Sequence, residues 1–255
     1  MSDEPFYRST AEANVFSSTV STRGPWSNDL QHAGPPSALL ARAIEQLAPT
    51  MSIARVTGEM RKPIAIAPVI VNAVVERAGK KSTIATATLT VDGDVVLALR
   101  ALLLRNIETP TIAHEAPPVR GGARYMFDFF QSDIGYHTAI ELLHVGGTWG
   151  TGKMSCWMRQ RVRLVDDEPA SGAQRVLVLA DAASGVSAAL DTKQFSFANA
   201  DLTVHYARPL DGEWLFMDAT TSSAGNGTAL AESRISDERG LVARSLQSLV
   251  VEPRA

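Results

Sequence analysis

Asp201, Thr221, Ser222 and Gln247 are the polar residues whose types and placement could do chemistry. A carboxylate can take a proton, and a hydroxyl and a carboxamide can hold a small molecule through both donors and acceptors. They fall on three separate strand-like stretches of one half of the chain. Each also has an ordinary role open to it. Asp201 could start a strand as a turn residue, Thr221 and Ser222 could be plain β-surface, and Gln247 could face solvent. Asp29 and His32 form a second constellation just before a helix, either an acid–base pair or a histidine that orders its loop. His205 sits between Val204 and Tyr206 as a cross-strand neighbour, and His137 and His144 have no partners at metal-ligand spacing. Trp26, Trp149, Trp157 and Trp214 read as core or interface residues.

The weight placed on the first set comes from an internal repeat. Residues 55–104 laid on 201–250, an offset of 146 without a gap, match at Thr57/Thr203, Pro63/Pro209, Ala73/Ala219, Gly79/Gly225, Val96/Val242 and Leu103/Leu249. At the polar positions the copies differ. Arg55 stands opposite Asp201, Val75 and Glu76 opposite Thr221 and Ser222, and Ala101 opposite Gln247. A polar set confined to one copy reads as one composite site.

The elements that must position these residues are mostly strands. Gly34–Leu47 is the exception. Leu39, Leu40, Ala43, Ile44 and Leu47 follow the helical period, and Pro36 suits a first helical position. Strand patterns occupy 54–60, 69–77, 82–91 and 95–104, with Asp92-Gly93-Asp94 as a hairpin turn between the last two. Residues 105–123 hold Pro110, Pro117, Pro118, Gly121 and Gly122 and read as a linker between halves. Beyond it, 138–145 and 153–165 read as a hairpin, 166–173 as a polar loop, and 201–207, 213–221, 227–236 and 241–252 as strands. The offset of 146 lays Pro35–Leu47 on Asp181–Lys193. Asp181–Leu190 is therefore expected to be the second helix, with Asp181 as its N-cap.

Composition bounds the function. The 255 residues are 45% hydrophobic and 20% charged, as in an ordinary globular protein. A net charge of −3 gives no electrostatic case for nucleic acid or an anionic membrane. Cys156 is the single cysteine, which excludes an intrachain disulfide and a cysteine metal cluster. The opening MSDEPFYRST lacks the pattern of a signal peptide, and a cytoplasmic location is the default expectation.

The chain resembles the acyl-CoA thioesterase II family, the double-hotdog thioesterase-like proteins. The resemblance is carried by His32-Ala33-Gly34-Pro35-Pro36 with the following helix, Asn199-Ala200-Asp201 through Arg208-Pro209, Glu213-Trp214, and Ala243-Arg244-Ser245-Leu246-Gln247. It implies an α+β double hotdog: two antiparallel sheets, each wrapped around a central helix, with residues 1–115 as the N-terminal hotdog and 116–255 as the C-terminal one. It implies hydrolysis of acyl-CoA thioesters to free acid and CoA, a place in lipid metabolism, no metal, no cofactor, and a dimer as the default assembly. In that family an Asp, a hydroxyl residue and a Gln hold the attacking water. By position these look like Asp201, Thr221 or Ser222, and Gln247. Counting from Trp214 favours Ser222, whereas residue type favours Thr221. A thioester needs no strong general acid, because its thiolate leaves easily. It does need donors for the developing oxyanion. The N–H groups of Gly34 and Ser37, with His32 beside them, are the substrate-binding candidates at the positive end of the helix. Two alternatives stand beside this one: a non-catalytic acyl-CoA or lipid-binding hotdog, and an enoyl-CoA hydratase of hotdog type working through Asp29 and His32.

Overall fold

A computed structural model describes residues 4–112, 115–166 and 168–254. The first half contains Tyr7–Ser9 (β1), Val15–Ser18 (β2), the helix Gly34–Leu47 (α1), Met51–Met60 (β3), Pro68–Arg77 (β4), Ser82–Val91 (β5) and Asp94–Arg105 (β6). The second contains Ala123–Arg124 (β7), Tyr136–Ala139 (α2), Ile140–Thr148 (β8), Lys153–Gln160 (β9), Gly172–Ala180 (α3), Ala183–Val186 (α4), Phe195–Asn199 (β10), Asp201–Tyr206 (β11), Trp214–Ser223 (β12), Thr228–Asp237 (β13) and Gly240–Pro253 (β14). Of the linker, residues 113 and 114 lie outside the described residues, as does residue 167 of the polar loop.

The strands form one continuous sheet in the order β1-β2-β4-β5-β6-β3-β11-β14-β13-β12-β9-β8-β7, with β10 also paired to β14. This is the double-hotdog arrangement. The halves join edge to edge where β3 meets β11, antiparallel, with Thr57 opposite Thr203. Their hydroxyls lie 3.3 Å apart. Those two residues are themselves related by the offset of 146, so a pseudo-twofold axis passes between them. The same offset carries 68–77 onto 214–223 and 82–91 onto 228–237, the bounds of β4 on β12 and of β5 on β13. Asp92 and Gly93 both have positive φ, the two-residue turn whose twist matches a hairpin.

Alternation along the strands decides which side chains reach the core. β5 reads intermediate, buried, intermediate, buried over its whole length. Helix α1 is buried more widely than one stripe, over Gly34–Ala41 and Ile44, whereas Leu47 at its end is 41% exposed. The second cover is α3. Arg42 forms an ion pair with Glu168, and Glu45 accepts from Ser171 Oγ and Gln174 Nε2. A Cβ on Gly34 would lie 2.3 Å from the carbonyl oxygen of Val178, so only glycine lets the start of α1 touch α3. Full burial of Leu39, Leu40 and Ile44 contributes about 1.5–3 kcal/mol each.

The second helix corrects the sequence expectation. It begins at 172, not 181, with Ser171 as N-cap, its Oγ accepting from Gln174 N–H. Val176–Ala180 is the buried run of this helix. Asp181 follows its last residue, and α4 then restarts the helix for one turn. The helices are thus offset by 138 (34 to 172) while the strands are offset by 146. The second half holds eight more residues between helix and strand, and they fall between α4 and β10, since 138 lays 34–47 on 172–185 and 146 lays 51–53 on 197–199.

Candidate active site

Breaking the helix at Ala180 frees backbone groups that a continuous helix would use internally. The carbonyl of Asp181 accepts from Gln247 Nε2 at 3.0 Å and from Asn199 Nδ2 at 3.2 Å. Its carboxylate Oδ1 accepts from Asn199 Nδ2 at 2.6 Å and, more weakly, from Gln247 Nε2 at 3.4 Å. Oδ2 lies 2.9 Å from His32 Nδ1. The side chain of Asp181 is 3% exposed and that of His32 12%. A buried carboxylate is tolerated only when paired and hydrogen-bonded, and this one is held on both oxygens.

The network also fixes its own orientations. The backbone N–H of Ser184 can only donate, and it faces Gln247 Oε1 at 3.2 Å. Gln247 must therefore point Nε2 at Asp181. Ser184 Oγ donates to Asn199 Oδ1 at 3.0 Å, which leaves Asn199 Nδ2 for the carboxylate. His32 Nδ1 carries the proton, because a carboxylate at 2.9 Å cannot share a hydrogen bond with a bare nitrogen. The Gly34 N–H, at a longer 3.3 Å from Nδ1, does not decide the tautomer. Tyr136 stacks on the imidazole at 3.8 Å with the rings 2° from parallel, and its own hydroxyl donates to Val178 O at 2.8 Å. The ring is thus fixed in plane as well as at Nδ1.

His32, Asp181, Ser184 and Asn199 all line a cavity of about 650 Å³. Its apolar wall comes from the loop before α1, the strand-free arm 125–130, and β10. Arg61, Lys62 and Arg254 stand on its solvent side. Among the described residues no group of His, Cys, Asp and Glu could hold a metal ion, and no helix is long and apolar enough to cross a membrane.

Of the four residues read as a composite site, only Gln247 lies in this cluster. Asp201 does not. On β10, Asn199 pairs with Leu249; on β11, Thr203 pairs with Leu246. Four residues on one strand thus span three on the other, so a bulge lies between them and reverses the faces. Asn199 shares the inward face of Leu249, whereas Asp201 shares the outward face of Thr203 and Leu246. The Asp201 carboxylate instead accepts the Ser248 N–H at 2.6 Å. Thr221 faces inward in the same cross-strand row as Ala231 and Gln247, two strands and roughly 10 Å away. There it bonds Ser187 Oγ at 2.7 Å. Ser222 is exposed on the other face.

The oxyanion donors are corrected too. Ser37 N–H donates to Ala33 O within the helix, and Ser37 Oγ donates to the same carbonyl. Gly34 is pressed against Val178. Neither lines the cavity, and of the three substrate-binding candidates only His32 does. Asp29 is exposed, and the carboxylate partner of His32 is Asp181, 149 residues further along. Asp181 and Asn199 were visible in sequence only as an N-cap and as the first residue of the Asn199-Ala200-Asp201 run. A register shift in the repeat, 138 against 146, is the signal that falls between them.

Residues 22–105 match a family model described as the acyl-CoA thioesterase N-terminal domain, and residues 105–251 one described as the acyl-CoA thioesterase C-terminal domain. No curated protein matches the chain at a significant level. Among solved structures, an acyl-CoA thioesterase II, TesB2, from Mycobacterium marinum is similar at 18% identity and TM-score 0.70, covering 97% of this chain and 96% of that one. A putative thioesterase from Novosphingobium aromaticivorans is 17% identical with TM-score 0.74, over 97% and 98% of the two chains. A hot dog fold protein of unknown function from Alicyclobacillus acidocaldarius is 15% identical with TM-score 0.74, over 96% of each chain. At these identities the likeness is one of fold.

Proposed function

Because this chain belongs to the acyl-CoA thioesterase family, and so is a thioester hydrolase, we propose that acyl-CoA is cleaved at the cluster of His32, Asp181, Asn199 and Gln247. The observation that carries this is the buried Asp181 carboxylate, held by three side chains on the wall of a large cavity. A water at that wall gives its proton to the Asp181–His32 pair as its oxygen attacks the thioester carbonyl. The tetrahedral intermediate collapses with cleavage of the C–S bond. The pair returns the proton to the departing sulfur, leaving free acid and CoA. Asn199 and Gln247 do not touch the reacting atoms in this scheme. They hold the carboxylate in one position, so little reorganisation is needed at the transition state. Arg61, Lys62 and Arg254 supply positive charge where the phosphates of CoA would lie.

The same proposal divides the chain into hotdog units 1–115 and 116–255, between β6 and β7. His32 then comes from one unit and Asp181, Asn199 and Gln247 from the other, so neither unit is complete alone. A homodimer is the assembly proposed with it. The test is a panel of acyl-CoAs of graded length and shape, followed by a thiol-detecting reagent. Thiol release that falls in a His32→Ala variant supports the site. Binding of acyl-CoA without release would favour the non-catalytic hotdog, and hydration of an enoyl-CoA lost in His32→Ala would favour the hydratase.

A further inference from the structure

The chain has 4 Trp, 4 Tyr and 8 Phe, and seven of these line the one 650 Å³ cavity. That concentration is not needed for a straight acyl chain, which any apolar wall would hold. The rings are also arranged in both of the orientations that attract another ring. Trp26 meets Phe197 edge to face, 5.1 Å between centroids at 82°. Trp26 and Phe129 lie near parallel at 6.3 Å and 19°, and Phe129 and Phe130 at 5.1 Å and 24°. Phe127 adds a tilted ring 5.3 Å from Phe129. Phe197 stands two residues before Asn199 on β10, hence about 6.6 Å along the same strand. The aromatic wall therefore begins within one side-chain row of the polar cluster, where the acyl carbons next to the carbonyl must lie.

Resting on the thioester-hydrolase reading of this site, we propose that its acyl specificity is for aromatic acyl groups: a single aryl ring one or two carbons from the thioester carbonyl. Such a ring adds face and edge contacts to the cluster that a saturated ring of the same size cannot make. Each aromatic pair is worth about two- to tenfold in a rate or binding ratio. The three enclosing segments are separate in sequence (the loop at Trp26, the arm 125–130, and β10), so the slot exists only in the folded chain.

The test compares phenylacetyl-CoA with cyclohexylacetyl-CoA, which share a carbon skeleton and differ in aromaticity. The expected kcat/KM ratio is about threefold to tenfold in favour of the aryl compound, falling toward one in Trp26→Leu and in Phe129→Leu. Two leucine variants on different segments guard against loss of the arm in one of them. The same ratio is read in dissociation constants by calorimetry on Asp181→Asn, which removes turnover from the measurement. A saturated substrate bound and cleaved as well as the aryl one, or a ratio untouched in both leucine variants, overturns the proposal. Aryl-selective binding with no thiol released from any substrate would instead overturn the hydrolase reading and leave the aromatic slot standing.

Discussion

Replacing Asp181 by Asn tests the site at the residue on which its bonds converge. The amide is nearly isosteric, and the network can re-seat around it. Asn199 can turn its oxygen to the new NH2 and donate to Ser184 Oγ, because a hydroxyl accepts as well as it donates. The cost is the 3.2 Å bond from Asn199 to the 181 carbonyl and the weaker 3.4 Å bond from Gln247 to the carboxylate oxygen. Gln247 need not move, since its bond to that carbonyl and the bond from Ser184 N–H both survive. The loss is thus one to two net hydrogen bonds, roughly 1–2 kcal/mol, or about 2–8 °C in Tm for a chain of this size. Chemistry fares differently. No carboxylate remains to take the water's proton or to stabilise an imidazolium at His32. A positioned acid–base group is worth about 10²–10⁴-fold, and that loss should fall on kcat with KM little changed. The assay is thiol release at saturating acyl-CoA, with Tm from calorimetry on the same preparation. A folded Asp181→Asn protein with kcat within tenfold of wild type would refute the reasoning.

Asp201→Asn should stay within about twofold of wild type in thiol release, because its carboxylate faces away from the cavity and holds only a strand N–H. The Cys156 thiol is pushed well above its ordinary range by burial and the nearby Asp218, so native protein should resist alkylation and give no background in the thiol assay, whereas unfolded protein reacts at one site. At Asp237, burial pushes the carboxyl up, but bonds from Arg208 and the Asp211 and Arg239 N–H groups more than offset this and hold it below its ordinary 3.8. That stability is present above pH 3.8 and lost as pH falls through the lower folded value, so the Tm gap between wild type and Asp237→Asn should narrow only below 3.8.

Much of the fold was legible because the repeat preserves strand length. β4 and β12, and β5 and β13, keep the same bounds under one offset, and the turn at Asp92-Gly93 announces its hairpin by residue type. The first helix was legible from its period and its prolines. The site was legible only at His32 and Gln247. Asn199 and Asp201 are two apart, and strand alternation would put them on one face. The bulge between β10 and β11 separates them, and no residue there is a glycine that would have marked it. Asp181 was hidden for a different reason. Asp at a helix start is so common a cap that the capping role absorbed it, although here it follows the last turn of α3.

The site lies where the two halves cease to be equivalent. Duplication gives each half a helix on a curved sheet, and the twofold through Thr57 and Thr203 sets the helices side by side. Neither feature places a charge in the core. The broken helix of the second half does. It stops at Ala180, turns Asp181 inward and restarts as α4, so that Ser184 can hold both amides while Asn199 of β10 reaches the carboxylate. The first half has no such break: α1 runs unbroken to Leu47 and into β3 after a short turn. It contributes His32 instead, from the loop that leads into its unbroken helix. A gapless comparison of the copies weighs only positions that have a counterpart. Gln247 and Asn199 have one, in Ala101 and Ile53, but Asp181 is matched to the first helix only at the offset of 138, and that change of offset is its mark in the sequence.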